Sequence, residues 1–357
     1  MRLLHLAGDH HAMGRQHAKQ ARQARSALER VVEARLGEWH ERRADLAKSY
    51  VGAVRRYAPA TARMLDGIAD GFGIDAARLW AYTASGWVDE QMGRGNAALA
   101  GEGCTAWAVA GSAGKRGEVI LAKNRDYYRD HRELQVVCDA APARGHRWFA
   151  VGSLGSPGVF SSGMNERGLC VADTHVSTRD LGPGIPRYAQ MLEVLERCET
   201  VREAVRLIGS APATGGGTLV LADSSGDLAV CELTHSGVLV LPHADAVVAT
   251  NHFSSPALRR RNVQRADHRP SLRRRARVVA AVRSDGPVGV EQAEALMARH
   301  GTEESAVCRH AYPGRAGRYG TISSVVYLPA RHEVHLADGW PCTAPFQRFV
   351  AGTDFWM

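Results

Sequence analysis

The sequence predicts an α+β fold in which two antiparallel sheets lie between layers of helices. Residues 1–103 hold long runs of alanine, arginine, leucine and glutamate with apolar residues at three-to-four spacing, which is typical of amphipathic helices. Residues 104 to about 180 instead hold short apolar runs separated by turn residues, which indicates strands. Further helices and a last pair of strands follow. This order favours sheets that pack between helical layers.

Length and composition are those of a large globular domain. The chain has 357 residues, of which 45% are apolar, so it can bury a substantial core. No stretch approaches the ~18 consecutive apolar residues of a membrane-spanning helix. Residues 1–7 are too short for the apolar core of a signal peptide. We therefore predict a soluble, cytoplasmic protein with no membrane partner.

Charge and cysteine content narrow the function classes. The net charge of +8 is carried mostly by arginine, which favours either an acidic partner or a merely arginine-rich composition. The seven cysteines are dispersed without CxxC pairs, and this argues against a disulfide framework or a zinc ribbon. We expect no metal and no cofactor.

The first 103 residues are predicted to be helical over about 13–48, 60–72 and 75–87. Pro59 and the glycines at positions 71 and 73 mark the breaks. No side chain in this region is assigned to catalysis. We expect this region to shape a substrate pocket.

A predicted β-hairpin follows Cys104. The apolar runs 107–110 and 119–122 are joined by a glycine-containing turn, which indicates two paired strands. Cys104 would lie at the start of the first strand. Residues Lys123 to Asp126 would follow the end of the second strand and lie beside Cys104. A thiol, an ammonium and a carboxylate would then converge across the ladder.

That geometry indicates a cysteine nucleophile that needs a base, because a thiol with a pKa of about 8.5 is mostly protonated at neutral pH. Cleavage of the Gly103–Cys104 bond would create an α-amine on the same residue, and such an amine can serve as the base. Gly103 has no Cβ, so the thiol can approach its carbonyl. The alternative is that Cys104 is a small buried apolar residue, which is common for free cysteine.

The remaining elements follow in order. Strands are predicted over 134–139 and 147–152, and a strand–turn–strand unit over 161–169 leads to a strand that ends at His175. Two helices are predicted within 186–208, and a hairpin over 218–233. A buried strand over 247–250 delivers Asn251 and His252. A helix over 290–299 and closing strands over 321–328 and 332–336 complete the chain.

Nine arginines and a single acid lie between Arg259 and Arg277. Such a segment could bind nucleic acid through phosphate contacts. No aromatic residue is interleaved for base stacking, which argues against that function. We therefore predict no nucleic-acid partner, and a surface position for most of these arginines.

Five segments resemble the N-terminal nucleophile (Ntn) hydrolases of the penicillin acyltransferase type, which are related to choloylglycine hydrolases. The segments are Gly103-Cys104-Thr105 with Lys123-Asn124-Arg125-Asp126-Tyr127, residues 163–169, residues 184–186, Thr250-Asn251-His252-Phe253 and residues 271–277. The resemblance implies a four-layer αββα sandwich. It also implies self-cleavage between Gly103 and Cys104, so that a helical fragment 1–103 and a catalytic fragment 104–357 stay associated as one domain.

The resemblance further implies the catalytic residues. Cys104 is the nucleophile, Asp126 orients its α-amine, Asn251 donates to the oxyanion, and an arginine at 273 or 274 fixes the substrate or the nucleophile. His175 stands where the family commonly has an asparagine. The expected substrate contacts are Thr105, Lys123, Tyr127, His175, His252 and Arg273.

The expected activity is hydrolysis of a small N-acyl, aminoacyl or peptidyl amide through a thioester on Cys104. The alternative is an acyltransferase that moves an acyl group from acyl-CoA or an amide to an amine. A further hypothesis is an uncut cysteine hydrolase with His252 or His175 as its base. A remote alternative from another class is a basic nucleic-acid-binding protein that uses residues 259–277. Assembly into a homo-oligomer is left open.

Overall fold

The computed structural model describes residues 1–37, 41–93, 103–242, 244–262, 269–284, 286–301, 305–310 and 319–356. The helices are α1 His10–Gln20, α2 Arg25–Leu36, α3 Glu41–Tyr57, α4 Pro59–Phe72, α5 Ala76–Gln91, α6 Arg187–Arg197, α7 Val201–Ile208, α8 Arg269–Ser284 and α9 Val290–Met297. None of these helices is long and apolar enough to span a membrane.

The strands form two sheets. They are β1 Arg2–Gly8, β2 Thr105–Gly111, β3 Gly117–Tyr128, β4 Gln135–Pro142, β5 Trp148–Ser153, β6 Ser162–Asn165, β7 Cys170–His175, β8 Gly217–Ala222, β9 Leu228–Thr234, β10 Gly237–Val240, β11 Ala246–Ala249, β12 Tyr319–Leu328, β13 Glu333–Asp338 and β14 Gln347–Val350. The eight-stranded sheet has the order β1-β4-β5-β6-β7-β8-β9-β10, and the six-stranded sheet has the order β11-β2-β3-β12-β13-β14. Every pairing is antiparallel except that of β1 with β4.

Three apolar cores define four layers. One core lies between the eight-stranded sheet and helices α1, α2 and α4 to α7. A second core lies between the two sheets, and a third joins the six-stranded sheet to α8 and α9. In β2, Ala106 and Ala108 enter the core between the sheets, whereas Trp107 and Val109 enter the core against the helices. This alternation is expected for a strand covered on both faces, and it confirms the predicted αββα sandwich.

The N-terminal region differs from the prediction at its start. Residues 2–8 form β1, which pairs in parallel with β4 at the edge of the eight-stranded sheet, so the region is not wholly helical. Leu4 and Leu6 are fully buried in the core under the helices. Their alternation with more exposed neighbours is a strand pattern too short to stand out beside the helical runs.

The predicted helix over 13–48 is also divided. A short 3₁₀ turn at Arg22–Ala24 separates α1 from α2, and Gly37 ends α2. Pro59 begins α4 at a position where its missing N–H costs nothing. Gly73 ends α4 with φ of 64°, a conformation that favours glycine.

The β2–β3 hairpin sets the positions of the candidate catalytic groups. Cys104 immediately precedes β2, as predicted, whereas residues 123–126 lie inside β3 rather than beyond its end. Lys123 and Arg125 point toward the eight-stranded sheet, where they contact β7 and β5. Asn124 and Asp126 point to the opposite face, toward α9 and the segment 305–310. Cys104 therefore stands at the end of the sheet between two groups of charges.

Candidate active site

Cys104 lines a cavity and lies beside charged side chains. Its side chain is 9% exposed. The Lys123 ammonium and the backbone N–H of Asp126 lie beside the thiol. Burial raises the pKa of Cys104, and the positive charge of Lys123 acts in the opposite direction. The thiol in this uncut chain is therefore mostly protonated at neutral pH, and its nearest charge favours the thiolate.

Lys123 is held in place by a second buried charge. Its ammonium donates to the Asp173 backbone carbonyl and lies 3.2 Å from Asp173 Oδ1. Arg187 Nε lies 3.0 Å from the other oxygen of the same carboxylate. Burial disfavours the charged amine, yet Cys104 and Asp173 raise the pKa of Lys123 above its ordinary value. Lys123 is therefore a fixed cation beside the thiol and cannot act as its base.

Asp126 faces the peptide bond before Cys104. Its Oδ1 accepts the Thr321 hydroxyl at 2.7 Å, and its Oδ2 lies 3.8 Å from Arg309 Nη1. Oδ2 is buried and accepts no hydrogen bond from any residue that the structure describes. A Cβ on Gly103 would lie 3.0 Å from Oδ2 and would overlap the Arg309 guanidinium. Burial raises the pKa of Asp126, although Arg309 and Arg274 oppose this shift.

Asn251 and Arg274 meet beside the Cys104 backbone. Arg274, on α8, is 1% exposed and places Nη2 at 2.5 Å from Asn251 Oδ1 and 3.4 Å from the Cys104 carbonyl oxygen. The Asn251 amide donates from Nδ2 to the His175 carbonyl at 2.9 Å, and its backbone N–H donates to Ser271 Oγ. The arginine thus orients the amide so that Nδ2 points away from α8. A second Nδ2 proton is left for a ligand.

The cavity at Cys104 has a volume of about 590 Å³. Its lining combines aromatic rings with charged side chains of both signs. The lining includes Tyr82, Trp87, Tyr127, Tyr128, Phe160, Arg35, Arg125, Arg129, Arg187, Asp89, Asp126, Asp130, Asp173 and His175. The volume is typical of a small-molecule site, and the many charged groups in the lining suit a ligand that carries polar or charged parts as well as an apolar part.

The structure brings most of the predicted residues together. Of the two arginines that the sequence left open, Arg274 reaches the site and Arg273 is exposed. Tyr127 and His175 line the cavity. Thr105 is fully buried in the first position of β2.

His252 belongs to a supporting network rather than to the nucleophile. Its Nδ1 lies 2.8 Å from Ser271 Oγ and 3.2 Å from Thr250 Oγ1. His175 Nε2 lies 3.5 Å from a Glu90 carboxylate oxygen. Among the described residues, no histidine hydrogen-bonds Cys104.

Three site residues were missed from the sequence. Asp173 lies on β7, Arg187 begins α6, and Arg309 lies in a segment without regular structure. Asp173 could have been noticed as an acid inside a buried strand. No local pattern marks Arg187 or Arg309.

Two arginines that were expected at the surface are half-buried. Arg275 Nε donates to the Val248 carbonyl at 3.2 Å, and Arg277 Nη1 donates to Ser305 Oγ at 3.1 Å. Together with Arg274 they hold α8 against the six-stranded sheet and the segment after α9. These three charges are therefore engaged within the protein.

Comparison with solved structures gives distant similarities. Penicillin V acylase from Agrobacterium tumefaciens has 18% identity and a TM-score of 0.47, over 70% of this chain and 87% of its own. A variant of conjugated bile acid hydrolase from Clostridium perfringens has 12% identity and a TM-score of 0.44, over 71% of this chain and 98% of its own. No curated protein sequence matches the chain.

A family model provides the assignment. The model described as acyl-coenzyme A:6-aminopenicillanic acid acyl-transferase matches residues 112–341, well over half of the chain. The match begins after Cys104, so it bears on the family and not on the nucleophile itself. The family resemblance predicted from the five segments is confirmed. The chain belongs to the acyl-coenzyme A:6-aminopenicillanic acid acyl-transferase family.

Proposed function

We propose that this protein is a self-processing cysteine amidohydrolase that cuts the Gly103–Cys104 bond and then hydrolyses a small N-acyl or aminoacyl amide through Cys104. The observation that carries the proposal is the buried Asp126 Oδ2 beside Gly103, which accepts no hydrogen bond from the described residues. Its ion pair with Arg309 at 3.8 Å is too long for a hydrogen bond, so the buried oxygen can still accept one from a donor placed beside it. A new α-ammonium on Cys104 would be that donor.

In the first step the Cys104 sulfur attacks the Gly103 carbonyl carbon, and the Gly103–Cys104 C–N bond breaks as the nitrogen takes up a proton. Water then hydrolyses the resulting thioester. The products are a Gly103 carboxylate and a Cys104 that carries both a free thiol and a free α-amine. Because Arg309 and Asp126 lie against Gly103, this step takes place next to charges that are already in position.

In the second step the freed amine serves as the base for the thiol, a pairing known for N-terminal nucleophiles. The thiol proton moves to the amine, and the sulfur attacks the substrate amide carbon. The leaving amine takes up that proton, and water hydrolyses the thioester. Lys123 stabilises the thiolate, and Asp126 stabilises the protonated α-amine.

Asn251 is the proposed oxyanion donor. Its amide is oriented by Arg274, and one Nδ2 proton has no acceptor among the described residues. A fixed donor of this kind contributes about 3–4 kcal/mol to transition-state stabilisation. Because Arg274 also lies 3.4 Å from the Cys104 carbonyl oxygen, the donor is tied to the nucleophile's own backbone.

The cavity supports a substrate with an apolar part and a carboxylate. Arg125 is 4% exposed, lines the cavity and donates only to the Gly152 carbonyl and Ser153 Oγ, so no described carboxylate forms an ion pair with it. The ring of Phe160 lies 5.6 Å from its guanidinium carbon. A buried cation at an apolar wall is suited to an N-acyl amino acid, whose carboxylate would pair with it.

The family match favours a second candidate function, an acyltransferase. The chemistry is identical up to the thioester, and an amine then replaces water as the attacking group. Added amines distinguish the two activities, because a transferase makes new amides in competition with hydrolysis, whereas a hydrolase releases only the acid.

Denaturing mass spectrometry tests the self-processing. We expect two fragments beginning at Met1 and at Cys104 for the natural sequence, and one intact chain for Cys104→Ala. A single uncut chain in an active preparation would contradict the proposal.

A panel of N-acyl amino acids and matched N-acyl amines without a carboxylate tests the substrate class. We expect faster hydrolysis of the acids, and loss of that preference in Arg125→Met. Equal rates on both groups would reject the carboxylate contact while leaving the self-processing result unaffected.

A further inference from the structure

Four potential metal ligands that are dispersed in the sequence lie together near the start of β12. They are His300 after α9, Cys308 and His310 in the segment before β12, and Cys342 in the loop after β13. Each offers one donor atom, and these four atoms lie within 4.8 Å of one another. Cys308 Sγ is 3.6 Å from Cys342 Sγ, and His310 Nε2 is 3.0 Å from the same sulfur.

We propose that these four side chains bind one zinc ion at a structural site separate from the catalytic cavity. In a tetrahedral zinc site with Zn–S bonds of about 2.3 Å, the two sulfurs are about 3.8 Å apart, close to the 3.6 Å observed here. Two thiolates and two imidazoles are a common closed ligand set for zinc, and they disfavour magnesium and calcium. Four protein ligands leave no position for a substrate.

The backbone holds these ligands in position by bonds that do not depend on a metal. The Arg299 carbonyl accepts the N–H groups of Val307 and Cys308 at 3.0 and 3.2 Å, which brings the end of α9 next to the Cys308 segment. The His310 ring stacks on Trp340, with centroids 4.2 Å apart and an angle of 17°. Such contacts orient a ligating imidazole.

Charge and exposure also fit an ion. Zinc replaces the protons of the two thiols, so two protons leave and the site becomes neutral. Cys308 is 1% exposed, His310 and Cys342 are half-buried, and His300 is exposed. The exposed histidine gives the ion a path of entry to the buried sulfurs.

The site would fix the segment that carries Arg309. This arginine stands between the ligands Cys308 and His310, and its guanidinium lies against Gly103 and Asp126. Its backbone also pairs with Thr321 at the start of β12. Zinc at the cluster would therefore anchor Arg309 without taking part in the reaction.

The test is metal analysis of the full-length, tag-free protein by inductively coupled plasma mass spectrometry. We expect one zinc per chain, and a loss to below one tenth of that content in both Cys342→Ser and His310→Ala. Cys198→Ser and Cys104→Ala are matched controls, since each removes a thiol outside the cluster, and both should keep the zinc.

Cobalt substitution of the natural sequence gives an independent result if the variants fail to fold. We expect the absorption bands of tetrahedral Co²⁺ and thiolate-to-cobalt charge-transfer bands, and these bands should persist in Cys104→Ala. The proposal is overturned by a metal-free chain, by a chain lighter by two hydrogens because Cys308 and Cys342 form a disulfide, or by zinc that survives both ligand variants. None of these outcomes depends on whether Cys104 is the nucleophile.

Discussion

Lys123→Met isolates the effect of one buried ammonium on the reactivity of Cys104. Methionine is unbranched and only one heavy atom shorter than lysine, and it removes the charge. Asp173 keeps its contact with Arg187 at 3.0 Å, so the substitution does not leave a buried carboxylate without a partner. The fold should therefore tolerate the change, and thermal unfolding would verify this.

The size of the effect follows from the contact between the ammonium and the thiol. Two unit charges about 4 Å apart at an effective dielectric constant of about 20 interact by about 4 kcal/mol, which is the upper limit of the effect of the ammonium on the thiolate. The Asp173 carboxylate and the burial of both groups cancel much of this stabilisation. We expect the pKa of Cys104 to rise on removal of Lys123, and the alkylation rate at neutral pH to fall about tenfold or more as the thiolate fraction drops.

The assay is the rate of Cys104 alkylation by iodoacetamide as a function of pH, read on the Cys104 peptide by mass spectrometry. Natural and variant proteins are compared in the same processing state, which intact mass reports. Cys170, which is fully buried and whose pKa is raised by burial, provides an unreactive internal reference.

Lys115→Met is the matched control, because Lys115 is an exposed lysine at the other end of the same hairpin. We expect its alkylation profile to equal that of the natural sequence. An unchanged profile in Lys123→Met, or an equal shift in Lys115→Met, would refute the assignment of Lys123 as the charge that favours the thiolate.

Three more outcomes are expected. Asn251→Ala should lower kcat by about 10²–10³ with the fold retained, as steady-state kinetics and circular dichroism would show; unchanged turnover contradicts the oxyanion assignment. Gly103→Ala should slow self-cleavage about tenfold or more, because its Cβ overlaps the Arg309 guanidinium, whereas Gly52→Ala, whose Cβ meets nothing within 4 Å, should not. His17 has its pKa lowered to about 4 by burial, so the unfolded chain takes up the proton first and stability falls as the pH drops from 6.5 to 4. Between pH 6.5 and pH 4, the free energy of unfolding should fall by about 3 kcal/mol more for the natural protein than for His17→Leu, as urea unfolding would measure. An identical pH dependence of the two proteins contradicts this prediction.

The layered fold could be predicted because its signals are local. Helical spacing, glycine-containing turns and alternating apolar residues each act over a few positions, and the residues of β2 and β3 show these signals clearly. β1 could not be predicted from local patterns because its seven residues are stabilised by pairing with β4, which lies more than 120 residues away in the sequence. Parallel pairing leaves no turn signal that a sequence could display.

The site could be predicted only in part for the same reason. Cys104 and residues 123–126 are neighbours across one hairpin, so their proximity follows from the turn. Asn251 follows β11, which pairs with β2, and the segment 250–253 resembles a motif of the family. Arg309 reaches the site through tertiary packing alone, and no spacing rule connects it to Asp126.

The His300, Cys308, His310 and Cys342 cluster shows the same limit most clearly. Three of these residues fall within eleven positions, but the fourth follows 32 residues later, on the far side of β12 and β13. The β12–β13 hairpin folds Cys342 back beside His310, so the ligand set exists only once the sheet has formed. The absence of CxxC spacing is therefore weak evidence against a metal site when a hairpin can bring distant ligands together.

Alternation along β3 explains why one strand can serve two different steps. Lys123 and Arg125 project toward the eight-stranded sheet, whereas Asp126 projects toward Arg309 and the Gly103–Cys104 bond at which we propose cleavage. A group on the first face can act on the bound substrate and on the thiol, and a group on the second face can act on the peptide bond and later on the amine. Cys104 precedes the neighbouring strand, and groups on both faces of β3, Lys123 and Asp126, act on it. A substitution on one face should therefore alter thiol reactivity, and a substitution on the other should alter processing.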